Sequence, residues 1–126
     1  MGAVKTDTAQ KKTFLIVEDD DDLRKLFVLA LRLAGFETRE ARGGFEAIRK
    51  LDSGPTDLVV LDLLLPGIDG FEVRREIAAN PATRDIPVVI VTGMESDLSY
   101  LEPACVLRKP IEADDLVRAV RRCLQA

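Results

Sequence analysis

Five side chains that could do chemistry stand at the ends of apolar runs: Glu18, Asp19, Asp62, Thr92 and Lys109. The runs are residues 14–17, 58–61, 88–91 and 105–108, the last of which ends in an arginine. Carboxylates can bind a divalent cation or act as nucleophiles, while a hydroxyl and an ammonium group can stabilise an anion. If these side chains meet, they predict a site for phosphoryl chemistry.

Asp62 is the most informative of these residues, because a carboxylate at the end of a buried strand is costly. An unpaired buried charge costs several kcal/mol, so the strand must end in a polar cleft that contains a counter-charge. The stretches between the apolar runs have helical spacing, and this alternation predicts an α/β fold with a parallel sheet. The carboxyl ends of parallel strands lie at one edge, where ligands of such folds bind. We therefore expect the five side chains to converge.

The helices are predicted from apolar spacing and from capping residues. The first is expected over about residues 22–34, and its apolar stripe would contain Leu23, Leu26, Phe27, Ala30 and Ala34. A brief second helix follows Gly43 and Gly44, a third is expected over 70–79, and the last over 113–124. Only residues 93–102 remain for the crossover before the fifth strand, so the fourth helix should be shortened or irregular.

Composition limits the function classes. The chain has 126 residues, enough for one domain, and a net charge of −4, which argues against direct nucleic acid binding. It has no histidine, which excludes histidine-based catalysis by this chain. Residues 1–12 are polar and are expected to form a flexible tail. No segment is apolar enough to span a membrane, so we expect a cytoplasmic protein without a membrane partner.

The acidic cluster favours a hard divalent cation. Three carboxylates held close together repel one another, and Mg²⁺ takes oxygen ligands while it keeps several water molecules. With its charge shielded, Asp62 could attack a phosphoryl group and form an acyl phosphate. The Lys109 ammonium and the Thr92 hydroxyl would then bind phosphoryl oxygens.

Four segments carry a resemblance to a known family: residues 14–24, 57–70, 86–93 and 107–111. They resemble the receiver domain of bacterial two-component response regulators, in the CheY-like superfamily, over nearly the whole chain. The resemblance implies a receiver domain at residues 13–126 and a flavodoxin-like doubly wound sheet of five parallel strands in the order 2-1-3-4-5.

The resemblance also implies a role for each site residue. Asp62 would be the phospho-acceptor, Thr92 the switch hydroxyl, and Lys109 the lysine whose bond to Pro110 is usually cis. Asp19 and Asp62 would ligate Mg²⁺ directly, Glu18 would act through metal-bound water, and Leu64 would contribute its backbone carbonyl.

The chain departs from the family at three positions. Val106 stands where the family commonly has an aromatic residue that changes rotamer, and valine is too small and too stiff for that movement. Leu64 and Met94 are apolar where polar side chains could position a water molecule. These two residues predict a phosphorylated form that hydrolyses slowly.

These residues leave three functions open. The favoured one is a phosphorylation-dependent signalling switch, not an enzyme, that receives its phosphoryl group from a sensor histidine kinase or a histidine phosphotransfer protein. An unidentified protein would be its output partner, and a weak homodimer is left open. The second is an adaptor that binds partners without phosphorylation. The third, an aspartyl phosphatase, usually needs an acid at the position of Leu64.

Overall fold

A computed structural model describes residues 11–125 and contains a five-stranded sheet with helices on both faces. The strands are β1 (Thr13–Val17), β2 (Glu37–Ala41), β3 (Leu58–Leu61), β4 (Val88–Thr92) and β5 (Cys105–Arg108). The helices are α1 (Asp21–Leu33), α2 (Gly44–Asp52), α3 (Gly70–Ala79) and α4 (Ala113–Gln125). All neighbouring strands are parallel in the order β2-β1-β3-β4-β5, which confirms the predicted fold class.

The tail predicted over residues 1–12 falls mainly on residues 1–10, which lie outside the described residues. The carbonyl of Lys12 already accepts a hydrogen bond from the backbone N–H of Glu37 at 2.9 Å, at the start of the β1–β2 pair. The predicted domain boundary at residue 13 stays a prediction. Within residues 11–125, no helix combines the length and apolar content that a membrane crossing requires.

Two apolar clusters cover the two faces of the sheet. Phe14 and Ile16 of β1 lie in the cluster with α1 and α4, whereas Leu15 and Val17 lie in the cluster with α2 and α3. Successive side chains of a strand point to opposite faces, so a strand covered on both sides must be apolar throughout. This explains why the central strands appear in the sequence as continuous apolar runs.

Helix α1 buries or half-buries the expected stripe except at Leu26. Its buried residues are Arg24, Phe27, Val28 and Leu31, while Leu26 is exposed, so the expected stripe was wrong at Leu26. The physical reason is that Arg24 occupies a position of the buried stripe and satisfies its guanidinium with hydrogen bonds. Hydropathy alone assigns an arginine to the surface.

The crossover between β4 and β5 contains only a single 3₁₀ turn, Ser99–Leu101, which confirms the predicted shortening. Leu98, just before the turn, is buried in the cluster with α2 and α3. Arg74 of α3 holds the other end of the turn, since its Nε donates to the carbonyl of Leu101 at 2.8 Å and its Nη2 to that of Glu102 at 3.2 Å. One apolar side chain and one guanidinium thus take over part of the role of a helix.

Two glycines allow the loop after β3 to lie against the helices that flank it. A Cβ on Gly70 would lie 2.2 Å from the Asp62 carbonyl oxygen, and one on Gly44 would lie 2.1 Å from the Ile68 carbonyl oxygen. Neither separation is sterically allowed, so only glycine permits this packing. The loop that leaves Asp62 is therefore held by close backbone contacts.

The variant Gly44→Ala should destabilise the fold because its new methyl group must displace the backbone of Ile68. We expect a loss of about 2 kcal/mol in the free energy of unfolding, measured by urea denaturation. The matched control is Gly43→Ala, whose Cβ would be no closer than 3.7 Å to the Pro66 carbonyl oxygen. Equal stability losses in the two variants would contradict the packing argument.

Candidate functional site

The five predicted site residues lie at the carboxyl edge of the sheet, on four neighbouring strands. Glu18 and Asp19 follow β1, Asp62 follows β3, Thr92 ends β4 and Lys109 follows β5. The register pairs Val17 with Leu61, and the Asp62 N–H donates to the Val17 carbonyl at 3.0 Å. The pairing of β1 with β3 therefore places Glu18 beside Asp62.

Glu18, Asp19 and Asp62 form an acidic cluster in which each carboxylate offers one oxygen within 4.8 Å of the others. Glu18 is 2% exposed and Asp62 is 5% exposed, whereas Asp19 faces solvent. Glu18 Oε2 accepts a hydrogen bond from the Asp20 N–H at 3.1 Å. The cluster thus combines two buried carboxylates with one that solvent can reach.

Lys109 connects the two buried carboxylates. Its Nζ lies 3.0 Å from Glu18 Oε1 and 3.3 Å from Asp62 Oδ2. The peptide bond from Lys109 to Pro110 is cis, as the resemblance implied. With three carboxylates and one ammonium group, this set of side chains keeps an excess of negative charge when all four are ionised.

Burial and charge act in opposite directions at this cluster. Burial raises the pKa of Glu18, and the hydrogen bond from Lys109 offsets only part of that effect. Burial by itself would lower the pKa of Lys109, but its hydrogen bond to Glu18 and the charge of Asp62 outweigh that effect and raise the pKa. Lys109 is therefore held in its cationic form.

Thr92 is fully buried, and its oxygens accept hydrogen bonds from the backbone of Met94 and Lys109. Its Oγ1 accepts a hydrogen bond from the Met94 N–H at 3.1 Å, and its carbonyl accepts one from the Lys109 N–H at 2.7 Å. Its hydroxyl has no hydrogen bond to Asp62 or to the Lys109 ammonium among the described residues. Thr92 therefore shares the edge with the cluster without being hydrogen-bonded to its side chains.

Leu64 lies in the loop directly after β3. Its N–H donates to Asp62 Oδ1 at 3.3 Å, and its side chain is 62% exposed. The loop therefore helps to orient the Asp62 carboxylate. The metal-binding role expected for the Leu64 carbonyl stays a prediction.

Arg24 is a residue at this site that the sequence analysis did not identify. Its Nη1 donates to the Glu18 carbonyl at 2.9 Å, and its other nitrogens contact Asp21 Oδ1 at 2.6 Å and Glu40 Oε1 at 3.0 Å. It thereby fixes the backbone that carries Glu18. The available signal was its spacing from Phe27, Val28 and Leu31, which places a charged residue on the buried stripe of α1.

Val106 and Arg108 show how β5 contacts the segment that follows Thr92. Val106 is half-buried and packs against the cluster on the side of α2 and α3. Arg108 donates hydrogen bonds to the carbonyl of Met94 and, at 3.0 Å, to that of Ser96. The segment is therefore attached to β5 through its backbone.

Comparison with known proteins is consistent with this geometry. A family profile described as the response regulator receiver domain matches residues 14–121. The response regulator receiver protein CpdR of Brucella abortus is 32% identical over 120 residues, which are 91% of this chain and 98% of that protein. The phosphate regulon transcriptional regulatory protein PhoB of Pseudomonas aeruginosa is 30% identical over 119 residues. That alignment covers 90% of this chain but only 52% of PhoB, so the chain spans about half of that relative.

The fold is also shared with solved structures. The crystal structure of response regulator protein TrrA of Thermotoga maritima, in complex with Mg²⁺-BeF, has a TM-score of 0.79 and 34% identity. The superposition covers 89% of this chain and 98% of the TrrA chain. The chain belongs to the receiver domain family of two-component response regulators, whose members are phosphorylation-dependent signalling switches rather than classical enzymes.

Proposed function

We propose that Asp62 is the residue that accepts the phosphoryl group, and that a sensor histidine kinase or a histidine phosphotransfer protein supplies it. The observation that carries this proposal is the double ion pair of Lys109 with Glu18 and Asp62 at the carboxyl edge of the sheet. It places a nucleophilic carboxylate beside a fixed cation, in a chain that matches the receiver domain family over residues 14–121. The output partner is a protein that binds the surface altered by phosphorylation.

The residues present fit Mg²⁺. Glu18, Asp19 and Asp62 offer hard oxygen ligands, and Lys109 neutralises only one of their three charges. We propose that Asp19, Asp62 and the Leu64 carbonyl hold the ion directly and that Glu18 holds it through water. When bound, Mg²⁺ would neutralise the carboxylates and the oxygens of the incoming phosphoryl group.

The transfer itself is a displacement at phosphorus. One carboxylate oxygen of Asp62 forms a bond to phosphorus while the bond from phosphorus to the imidazole nitrogen of the donor breaks. The electron pair of the broken bond stays on the imidazole, and Asp62 becomes an acyl phosphate. Asp62 needs no base for this step because it reacts as a carboxylate.

Lys109 and Thr92 would respond to the product. The Lys109 ammonium, shared between Glu18 and Asp62, is placed to pair with a phosphoryl oxygen. The Thr92 oxygen accepts from the Met94 N–H, which leaves its hydrogen available to donate to another phosphoryl oxygen. Movement of Thr92 toward that oxygen would displace Met94 and the crossover, and this is the proposed change in surface.

We propose no turnover of another substrate by this chain. Autocatalytic phosphorylation from a small donor and self-dephosphorylation are the only reactions proposed for the chain itself. The cytoplasmic location and the absence of direct nucleic acid binding stay predictions from the sequence.

Phosphorylation is tested by intact mass after incubation with Mg²⁺ and a small acyl phosphate. The parent should gain one phosphoryl group, and Asp62→Asn and the parent with excess chelator should gain none. The matched control is Asp69→Asn, which removes a carboxylate from the same loop but keeps a good N-cap for α3. No gain under any condition would favour the unphosphorylated adaptor instead.

The variant Lys109→Met should bind Mg²⁺ more tightly than the parent while it is phosphorylated more slowly. Two positive charges about 4 Å apart in water repel each other by about 1 kcal/mol, so removal of the Lys109 charge should raise the affinity for Mg²⁺ about fivefold. Calorimetric titration with Mg²⁺ measures this, with Lys12→Met as the control that removes the same charge before β1, at the opposite edge. Weaker Mg²⁺ binding by Lys109→Met would show that the lysine supports the acidic cluster rather than competes with a cation.

The lifetime of the phosphorylated form should fall when polar groups replace Leu64 and Met94. In Leu64→Asn with Met94→Gln, an amide can orient water beside the acyl phosphate, so we expect hydrolysis to be faster by about tenfold or more. Phosphate release over time measures it, and Leu33→Asn, an equally polar change at an exposed position of α1, should have no effect. An unchanged lifetime in the double variant would contradict the role of these apolar residues.

A further inference from the structure

A groove of about 490 Å³ lies between α3 and the shortened crossover, away from the Asp62 cluster. Helix α3 lines it with Phe71, Arg74 and Ala78, and the crossover lines it with Tyr100 and Glu102. The groove exists because a single 3₁₀ turn stands where a full crossover helix would cover this face of α3. It is open along the surface rather than enclosed.

Arg74 is a buried cation in this groove that lacks a carboxylate partner. The residue is only 9% exposed, and its hydrogen bonds go to the backbone carbonyls of Leu101 and Glu102. Its Nη1 is buried without a hydrogen-bond partner among the described residues. No carboxylate oxygen of residues 11–125 lies within 4.0 Å of its nitrogens, although Glu102 lines the same groove. Neutral carbonyls satisfy donors, but they do not neutralise a buried charge.

Aromatic and apolar side chains contribute much of the remaining lining. Tyr100 is 68% exposed, and Phe71 is half-buried on the facing helix. Tyrosine and arginine are the residue types that contribute most to protein interfaces, because they combine a large apolar area with polar groups. An unpaired guanidinium beside two aromatic rings therefore has the composition of the centre of a binding surface.

We propose that this groove binds a segment of a partner protein that presents a carboxylate side chain next to a large apolar side chain. The carboxylate pairs with Arg74 and supplies the counter-charge that the fold does not. The apolar side chain packs between Phe71 and Tyr100 and shields that ion pair from water. Arg75, exposed at the rim, is already paired with Glu72 at 2.9 Å, so Arg74 is the lining cation that lacks a carboxylate partner among residues 11–125.

This inference goes beyond the proposed function and does not require it, since no residue of the groove belongs to the Asp62 cluster. The two are linked only along the chain, because the wall that carries Tyr100 belongs to the segment that follows Thr92. Failure of phosphorylation at Asp62 would therefore leave binding in the groove measurable.

The test begins with selection of a random peptide library displayed on phage against the whole chain. Enriched peptides should carry Asp or Glu next to an aromatic or large aliphatic residue. One enriched peptide is synthesised together with its amide version, Glu→Gln or Asp→Asn, which changes charge without touching the protein. The amide version should bind about tenfold more weakly, as expected for the loss of a charged hydrogen bond. Enrichment without acidic residues, or equal affinity of the two peptides, would overturn the proposal.

The location is tested with protein variants and with amide chemical shifts. Tyr100→Ser, at an exposed position, should weaken peptide binding at least about fivefold, while Leu29→Ser on α1 should leave it unchanged. Arg74→Met should abolish the difference between the acidic peptide and its amide version. Arg74 also holds the crossover, so Arg74→Met is used only if its thermal unfolding stays cooperative. If it does not, the result for Tyr100→Ser decides the test. Peptide-induced shifts confined to α1 and α4, or full binding by Tyr100→Ser, would place the site elsewhere.

Discussion

Lys109 places its ammonium group between two buried carboxylates, those of Glu18 and Asp62, which come from β1 and β3. Burial raises the pKa of Glu18, and the Lys109 ammonium offsets part of that effect, because an unpaired buried charge costs several kcal/mol. The lysine follows β5, so its position depends on every strand between β1 and β5. The ion pairs of Lys109 therefore depend on the strand order of the sheet, and they in turn stabilise that order.

Backbone hydrogen bonds carry most of the geometry around this ion pair. The Asp62 N–H is bonded to the Val17 carbonyl, and the Lys109 N–H is bonded to the Thr92 carbonyl. Arg24 holds the carbonyl of Glu18 from the side of α1. Each reactive side chain thus projects from a strand end whose main chain is already satisfied, which limits how far it can move without breaking a neighbouring pair.

The convergence of Glu18, Asp62 and Lys109 could be predicted from the sequence because parallel strands bring their ends to one edge. The shortened crossover could also be predicted, because the chain between Thr92 and β5 is too short for a full helix. The roles of Arg24 and Arg74 could not be predicted. Most of their partners are backbone carbonyls, or lie far along the chain as Glu40 does from Arg24, and hydropathy places arginines at the surface. The exposure of Leu26 has the same origin, since Arg24 occupies the buried stripe in which apolar residues were expected.

Leu98 is the single buried side chain of the crossover between β4 and β5, from residue 93 to residue 104. Stability within a protein is not uniform, and segments with few buried apolar contacts open locally at a lower free energy than the core. Detachment of the crossover would withdraw one fully buried leucine and break the hydrogen bonds that Arg74 and Arg108 donate to its carbonyls. Because so little of this segment is buried, we expect a change at Thr92 to shift its population at a lower cost in free energy than the movement of a long packed helix would require.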